Sequence, residues 1–475
     1  MAVQVVPADN PYHVYCELVA DRKADAQDQL LLVPFFCQQA GDGKLLGQED
    51  LLAIYWFSGT SVYFSVVTDD GTAADYWQTY SRNSGSRNSG STGSLSTNLG
   101  PALVKWLGQK KAPLFTLQQP LPLQPIGIPK PWGQEIWYTG VEARGVARFG
   151  SDDRQIPIPH LLAVMPSLLG QASLGPLILL KILDPLPEEI FGDLYFELHN
   201  EKREVYVVAH IDRQAWPDGV GRMRLGFNAE AIESAGSQDA FRRQFLEQVV
   251  AYREVRFEID RLLDARRQEH NISLNEPLPV EQLKGWLQEI PQSLVDREKQ
   301  LRQAMESYYG SLPMQAGDVV QVPLNVPHSL QHGVRTIEFQ TPVYERRIVA
   351  FGQKVLTQPA WDTERAVEEM EVTTPRRPQL PVVTSRDGLL IERVVDFSDF
   401  QVERITLSEA SSYETHSDTY RLLIVIQGQV IVGNHELAAE GAVLLPAWTN
   451  ISIRPQSEDS VTFLIAIPLV GDDHG

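Results

Sequence analysis

Apolar positions along the 475-residue chain follow different periods in different stretches. In the first 80 residues, the runs LLLVPFFC (30–37) and SVYFSVV (61–67) have strand character. Residues 48–57 read as a short helix, and residues 103–107 as another. Between them lies SRNSGSRNSGSTGSLSTN (81–98), with a tandem SRNSG and almost nothing apolar. Such a stretch cannot offset the entropy of ordering, so a flexible loop is expected there. Together these elements predict an N-terminal accessory α/β domain over residues 1–120.

From residue 121 the pattern changes. A Pro-rich extended stretch (121–131) leads into WGQEIWY (132–138), and the runs at 177–183 and 205–208 are apolar enough for buried strands. Over 238–310, Phe241, Phe245 and Val249, then Ile259, Leu262 and Leu263, recur at helical spacing. Residues 277–290 and 293–309 continue it, predicting an α-helical insertion (231–312) whose charges form a solvated face. Strand character returns at 318–323 and 335–340. A Pro- and Glu-rich connector (358–380) precedes short strands and turns over 389–470, with IVIQGQVIVG as the clearest hairpin. The class is mainly β with a helical insertion, in two to four domains.

Composition narrows the functions. A net charge of -20 repels nucleic acid and anionic membrane surfaces. It leaves room for a phosphorylated substrate, because a few local Arg and Lys residues can reverse the field in a cleft. Cys16 and Cys37 are the two cysteines and are expected to be reduced thiols. The start of the chain lacks a basic segment followed by an apolar run, and the 177–183 run is short and broken by Lys181. No signal peptide or membrane span is expected, and cytoplasm is the expected location.

Two motifs carry chemistry. In FELHNEKREVY, Glu197 and His199 are two apart and so project from one face of a strand. Glu204 follows after a gap long enough for a turn. In GDVVQVPLNVPH (317–328), Gly317 opens a turn, a strand runs to Pro323, and Asn325 begins a second turn before His328. Together they resemble the two cupin motifs, with Glu197 where a His or Gln is commoner. In a cupin barrel, Glu197, His199, Glu204 and His328 would converge on one interior metal ion. Such a set suits Zn, Mn, Fe, Ni or Co.

The surroundings resemble the type I phosphomannose isomerases over about residues 122–470. PIGIPKPWGQEIW (125–137), PLILLKILDPLPEEIFGDLYFELH (176–199), KREVYVV (202–208) and VPHSLQHGVRTIEFQTPVYERR (326–347) carry the likeness. It implies two cupin (double-stranded β-helix, jelly-roll) barrels. The metal-binding catalytic barrel would span 121–230 and 313–357, and a metal-free one 381–475. It implies one divalent ion, zinc first among candidates, and a phosphorylated sugar as partner. Lys202, Glu338 and an active-site Arg, Arg346 or Arg347, would be the catalytic residues. The expected function is aldose–ketose isomerisation of a sugar phosphate, most simply mannose 6-phosphate to fructose 6-phosphate.

Departures fall on the substrate side. Glu197 replaces the family's Gln, the gap between His199 and Glu204 is short, and residues 1–120 have no family counterpart. The first two favour an alternative, a diverged cupin that binds metal and a sugar-like ligand in a binding or regulatory role. Glu338 has its own bland reading, as an ion-pair partner of Arg335 or Arg346. In the C-terminal barrel, Arg421 stands at the Glu ligand position and Asn450 near the place of the second-motif His, leaving Glu414 and His416 without a full ligand set.

Overall fold

A computed structural model describes residues 2–22, 28–41, 44–86, 99–172, 175–456 and 459–470. They form two compact units, one of Gly127–Trp137 and Leu179–Leu380, the other of Met1–Ile126, Tyr138–Ile178 and Pro381–Gly475. The architecture is mainly β. Among the described residues no helix is long and apolar enough to cross a membrane.

The unit holding both motifs has strands β1 (Ile126–Lys130), β2 (Gly133–Trp137), β3 (Leu179–Pro185), β4 (Phe196–Leu198), β5 (Glu204–Ile211) and β6 (Gly221–Phe227). They continue as β7 (Tyr309–Met314), β8 (Val319–Val322), β9 (His328–Leu330), β10 (Val334–Gln340) and β11 (Arg347–Ala350). A six-stranded sheet runs β8-β5-β10-β3-β2-β1, and a five-stranded sheet β7-β6-β9-β4-β11. Apart from β1 and β2, neighbours in the sheets are far apart in sequence; β3 pairs antiparallel with both β2 and β10. Leu198, Val208, Leu225, Val320 and Ile348 are fully buried in one core.

Helices α1 (Ala229–Ala235), α2 (Gln238–Glu269), α3 (Val280–Leu287) and α4 (Gln292–Glu306) fill the chain between β6 and β7. Ser237 caps α2 by accepting from Ala240 N at 3.2 Å. The stripe of Phe241, Phe245, Val249 and Tyr252, at spacings of four, four and three, is buried in the same core as Leu225 and Phe227, so the amphipathic pattern read from sequence is what docks the insertion. A further helix, α5 (Thr363–Glu369), lies in the connector, where sequence indicated none; its buried Ala366 and Val367 give too short a pattern to stand out.

Trp132 is buried, and after it Gly133 has φ 139°. A Cβ on Gly133 would sit 2.3 Å from the Asp184 carbonyl oxygen. Gly133→Ala therefore meets both left-handed strain and a backbone clash. We expect it to cost about 3 kcal/mol or more, read as a fall in the urea midpoint.

In the other unit, a five-stranded sheet joins strands Ala2–Val5, Gln29–Gly41, Lys44–Ser58, Ser61–Thr68 and Phe115–Thr116. Two sequence expectations fail here. Residues 48–57 belong to a strand and not a helix, because 51–55 are buried throughout and a strand covered on both faces loses its period-two signature. The stretch expected to be loop from 81 begins inside the helix Ala73–Ser86; its remainder, 87–98, lies outside the described residues. Cys16 is exposed and Cys37 buried, both free thiols.

The same unit holds a nine-stranded sheet in which Leu121–Gln124 pairs with Ala442–Leu445, and a four-stranded sheet of Tyr413–Thr415, Ile451–Pro455, Val430–Val432 and His435–Leu437. The expected IVIQGQVIVG hairpin is not one. Arg421–Gln427 pairs within the larger sheet, whereas Val430–Val432 pairs within the smaller. The chain passes from one to the other at Gly428, φ 82°. Local alternation marks strands but not their partners.

Arg421 is completely buried. Its guanidinium donates to Thr415 Oγ1 at 3.1 Å, to the Pro446 carbonyl at 2.8 Å and to the Thr449 carbonyl at 3.2 Å. Burial pulls its pKa down to about 10. This side chain ties three segments together from within. Arg421→Met strips these buried acceptors of their guanidinium donors, the Pro446 carbonyl keeping only Thr449 Oγ1, and we expect a loss of about 2–4 kcal/mol in denaturant unfolding.

Candidate metal centre

Backbone geometry sets the ligands. Gly317 has φ 88° and Asn325 φ 61°, the turn conformations that Gly and Asn tolerate. Asn325 N donates to the His199 carbonyl at 2.7 Å, and Asn200 Nδ2 to Asn325 Oδ1 at 2.8 Å. The two motifs are thus bonded to each other. Glu197 and His328 are direct cross-strand partners on β4 and β9. Glu204 opens β5.

His199, Glu204 and His328 come together, each offering one ligand atom within 4.8 Å of the others. All three are buried, 2%, 1% and 2% exposed. Glu204 Oε1 lies 3.4 Å from His199 Nε2 and 2.7 Å from His328 Nε2. His199 Nδ1 lies 2.8 Å from the Glu345 carbonyl oxygen, and His328 Nδ1 3.1 Å from that of Val326. A carbonyl only accepts, so each Nδ1 carries a proton, and in the neutral form of either ring Nε2 is left with a lone pair facing Glu204. Both Nε2 atoms are buried without a hydrogen-bond partner. Two lone pairs aimed at a carboxylate in a dry interior fit a divalent cation among them.

Glu197 is outside that compact set. Its Oε1 is 3.8 Å from His199 Nε2, and Arg346 Nη1 is 3.7 Å from its Oε2. Burial would raise the Glu197 carboxyl, yet Arg346, His199 and Lys202 bring it below its ordinary value.

Electrostatics prepare two of the ligands, His199 and Glu204. Burial, reinforced by Lys202, lowers the His199 imidazole below its ordinary value despite Glu204, so the ring is neutral at pH 7. Burial would push Glu204 up, but Lys202, His199 and His328 hold it well below the usual carboxylate range. Lys202 Nζ sits 2.9 Å from Glu204 Oε2, and Tyr206 donates to Glu204 Oε1 at 2.9 Å.

A ladder of alternating charge runs from Glu204 across the six-stranded sheet. Tyr206, Glu338, Lys181 and Trp137 are successive cross-strand partners on β5, β10, β3 and β2, so they share a face. Lys181 Nζ lies 3.3 Å from Glu338 and 3.9 Å from Glu135. Glu135 in turn meets Lys130 Nζ at 3.0 Å and Trp137 Nε1 at 2.7 Å. Burial, against the pull of Lys181 and with the push of Glu204, lifts Glu338 to about 8. Burial opposes ionisation of Glu135 too, but Lys130 and Lys181 hold it far below its usual range.

Of the residues singled out by sequence, Lys202 and Glu338 lie beside the cluster. Arg346 is the arginine that meets Glu197, while Arg347 meets Glu369 at 3.4 Å. The bland reading of Glu338 does not hold, since Lys181 is its partner and Arg335 pairs with Asp184 at 2.5 Å. Sequence reading passed over Lys130, Glu135, Lys181 and Glu345. The last accepts from Asn200 N at 2.8 Å and Glu201 N at 3.3 Å, pinning the turn between His199 and Glu204. For Lys181 the signal was available: a lysine centred in an apolar strand must find a buried partner.

No family model and no curated protein matches the chain. Solved structures match in fold. The apo form of mannose 6-phosphate isomerase from Salmonella typhimurium superposes with a TM-score of 0.51 at 11% identity, over 74% of this chain and 100% of that one. A zinc-bound mannose 6-phosphate isomerase gives a TM-score of 0.51 at 10% identity, over 73% and 99%. Over 74% of its length the chain thus has the fold of a solved mannose 6-phosphate isomerase, and it carries a buried His/Glu/His group able to hold a divalent ion.

Proposed function

We propose that the protein is a metal-dependent aldose–ketose isomerase acting on a sugar phosphate, most simply mannose 6-phosphate to fructose 6-phosphate. The observation that carries this is the inward-facing His199–Glu204–His328 group, buried beside a ladder of charge, in a fold shared with the solved isomerases. In this reading the motif-bearing sheets form a catalytic cupin and the C-terminal sheets a second cupin, with Arg421 in place of a metal. Glu197 is the fourth ligand, and zinc is the expected ion.

Isomerisation moves a proton between C1 and C2 through an enediol. A bound divalent ion supplies polarisation of the sugar oxygens. The chain supplies the rest. Lys202, fixed against Glu204, stabilises charge developing on the sugar oxygen. Glu338, buried on the adjacent strand, exchanges the proton. Arg346 binds the phosphate, whose two negative charges compete with Glu197 for the guanidinium.

A second reading, a metal-binding cupin without isomerase chemistry, is favoured by one observation. Lys202 and Arg346 both lie against carboxylates of the site itself, where a phosphate would need one of them.

Metal-loaded protein incubated with mannose 6-phosphate in D2O separates the readings. Deuterium appearing at C2 of the aldose or C1 of the ketose, followed by NMR, supports the isomerase. Bound sugar phosphate with no exchange supports the second reading. Glu338→Gln, which keeps the ligand set, should retain metal and slow exchange by about 10²–10⁴-fold.

A further inference from the structure

The helical insertion lines a cavity of about 220 Å³ that is partly open to solvent, far from a minimal packing defect: it has room for about seven water molecules. Its walls come from inner faces of α2, α3 and α4 and from the chain following β11. Ile259, Leu263, Leu283, Leu287 and Val295 make the body apolar. Close-packed interiors carry few voids this large, and an apolar cavity does not hold well-bonded water. A molecule that fits is therefore apolar over most of its length.

The charged part of the wall is one-sided. Arg256, Arg267, Lys299, Arg302 and Lys354 line the cavity against one carboxylate, Glu298. Three of these cations are matched: Arg256 by Asp260 at 2.9 Å, Lys354 by Asp264 at 2.5 Å, Arg302 by Glu298 at 3.3 Å. Arg267 is not matched at that range. It is 5% exposed, donates to the carbonyls of Ser273 at 3.0 Å and Glu276 at 2.5 Å, and reaches Asp264 only at 4.0 Å. Burial outweighs the nearby carboxylates and pulls its guanidinium below the ordinary value. A buried cation held by neutral acceptors, with its carboxylate at the limit of ion-pair range, gains from an anion brought beside it.

We infer that this cavity is a binding site for a small amphiphilic anion, a carboxylate with an apolar tail of about six to eight carbons, its head on Arg267 and its tail among Leu263, Leu283 and Leu287. The site uses none of the metal-centre residues and stands apart from the isomerase reading.

Octanoate tests it on the full-length protein by calorimetry, with octan-1-ol as the uncharged probe. We expect octanoate to bind at least tenfold more tightly than octanol. Leu283→Trp, which fills the cavity from α3, should weaken octanoate at least tenfold. Arg267→Met should abolish the preference for octanoate over octanol. Should Arg267→Met fail to fold, Lys299→Gln at the exposed mouth serves instead, and a twofold or greater loss of octanoate affinity supports the site. His328→Ala should leave octanoate binding unchanged. Absence of octanoate binding to folded wild-type protein overturns the proposal, as does binding undiminished in Leu283→Trp. Equal affinity for octanol overturns the assignment of an anion.

Discussion

His328→Ala is expected to reduce bound divalent metal from one ion per chain to none and isomerase activity by at least about 10³-fold. His328 Nε2 is 2.7 Å from Glu204 Oε1 and the side chain is 2% exposed, so its loss removes one of three converging ligand atoms. The loss of polarisation at the sugar oxygens is several kcal/mol, and each 1.36 kcal/mol is about tenfold in rate. Stability gives an independent readout. An ion that binds only the folded chain adds about 2.7 kcal/mol when its concentration is a hundred times Kd. Chelator should therefore lower the thermal midpoint of the wild type and leave that of His328→Ala where it was. A variant that still holds one tightly bound ion would mean that the ligand set is different from the one proposed.

The largest stability effect is expected at Lys181. Its ammonium meets Glu338 and Glu135 at 3.3 and 3.9 Å, and all three are nearly inaccessible. Burial favours the neutral amine, but Glu135, Glu338 and Glu204 together raise its pKa above the ordinary lysine value. Lys181→Met removes the cation that neutralises buried Glu135 and that Glu338 needs in order to ionise. Breaking a buried ion pair by deleting one partner costs about 3–5 kcal/mol, and we expect a loss of that size in urea unfolding of the metal-free protein. Adding Glu338→Gln should recover part of it at alkaline pH, where the Glu338 carboxyl would otherwise ionise without a counter-ion. A single-variant loss under about 1 kcal/mol, or additivity in the double variant, would contradict the coupled ladder.

What could be read from sequence was local. Helical spacing from Phe241 to Leu263 marked the insertion, because a long amphipathic stripe needs no knowledge of its partner. Gly317, Asn325 and His328 were legible because turn chemistry dictates residue type. The ladder was not, since residues 135, 181, 204 and 338 meet only through sheet order. Lys181 looked like an interruption of an apolar run and is instead its central charge. The strand character of 48–57 was hidden by the unbroken burial of 51–55. Arg421 was visible as a misfit at a ligand position, but its role depends on Thr415, Pro446 and Thr449, which sequence could not bring together.

The most direct test of the central claim is the turnover of mannose 6-phosphate by chelator-stripped protein titrated with zinc, read as fructose 6-phosphate formed. The proposed centre predicts no activity in the stripped protein and a linear rise that stops at one zinc per chain. Protein fully loaded with one zinc per chain that forms no fructose 6-phosphate would contradict it.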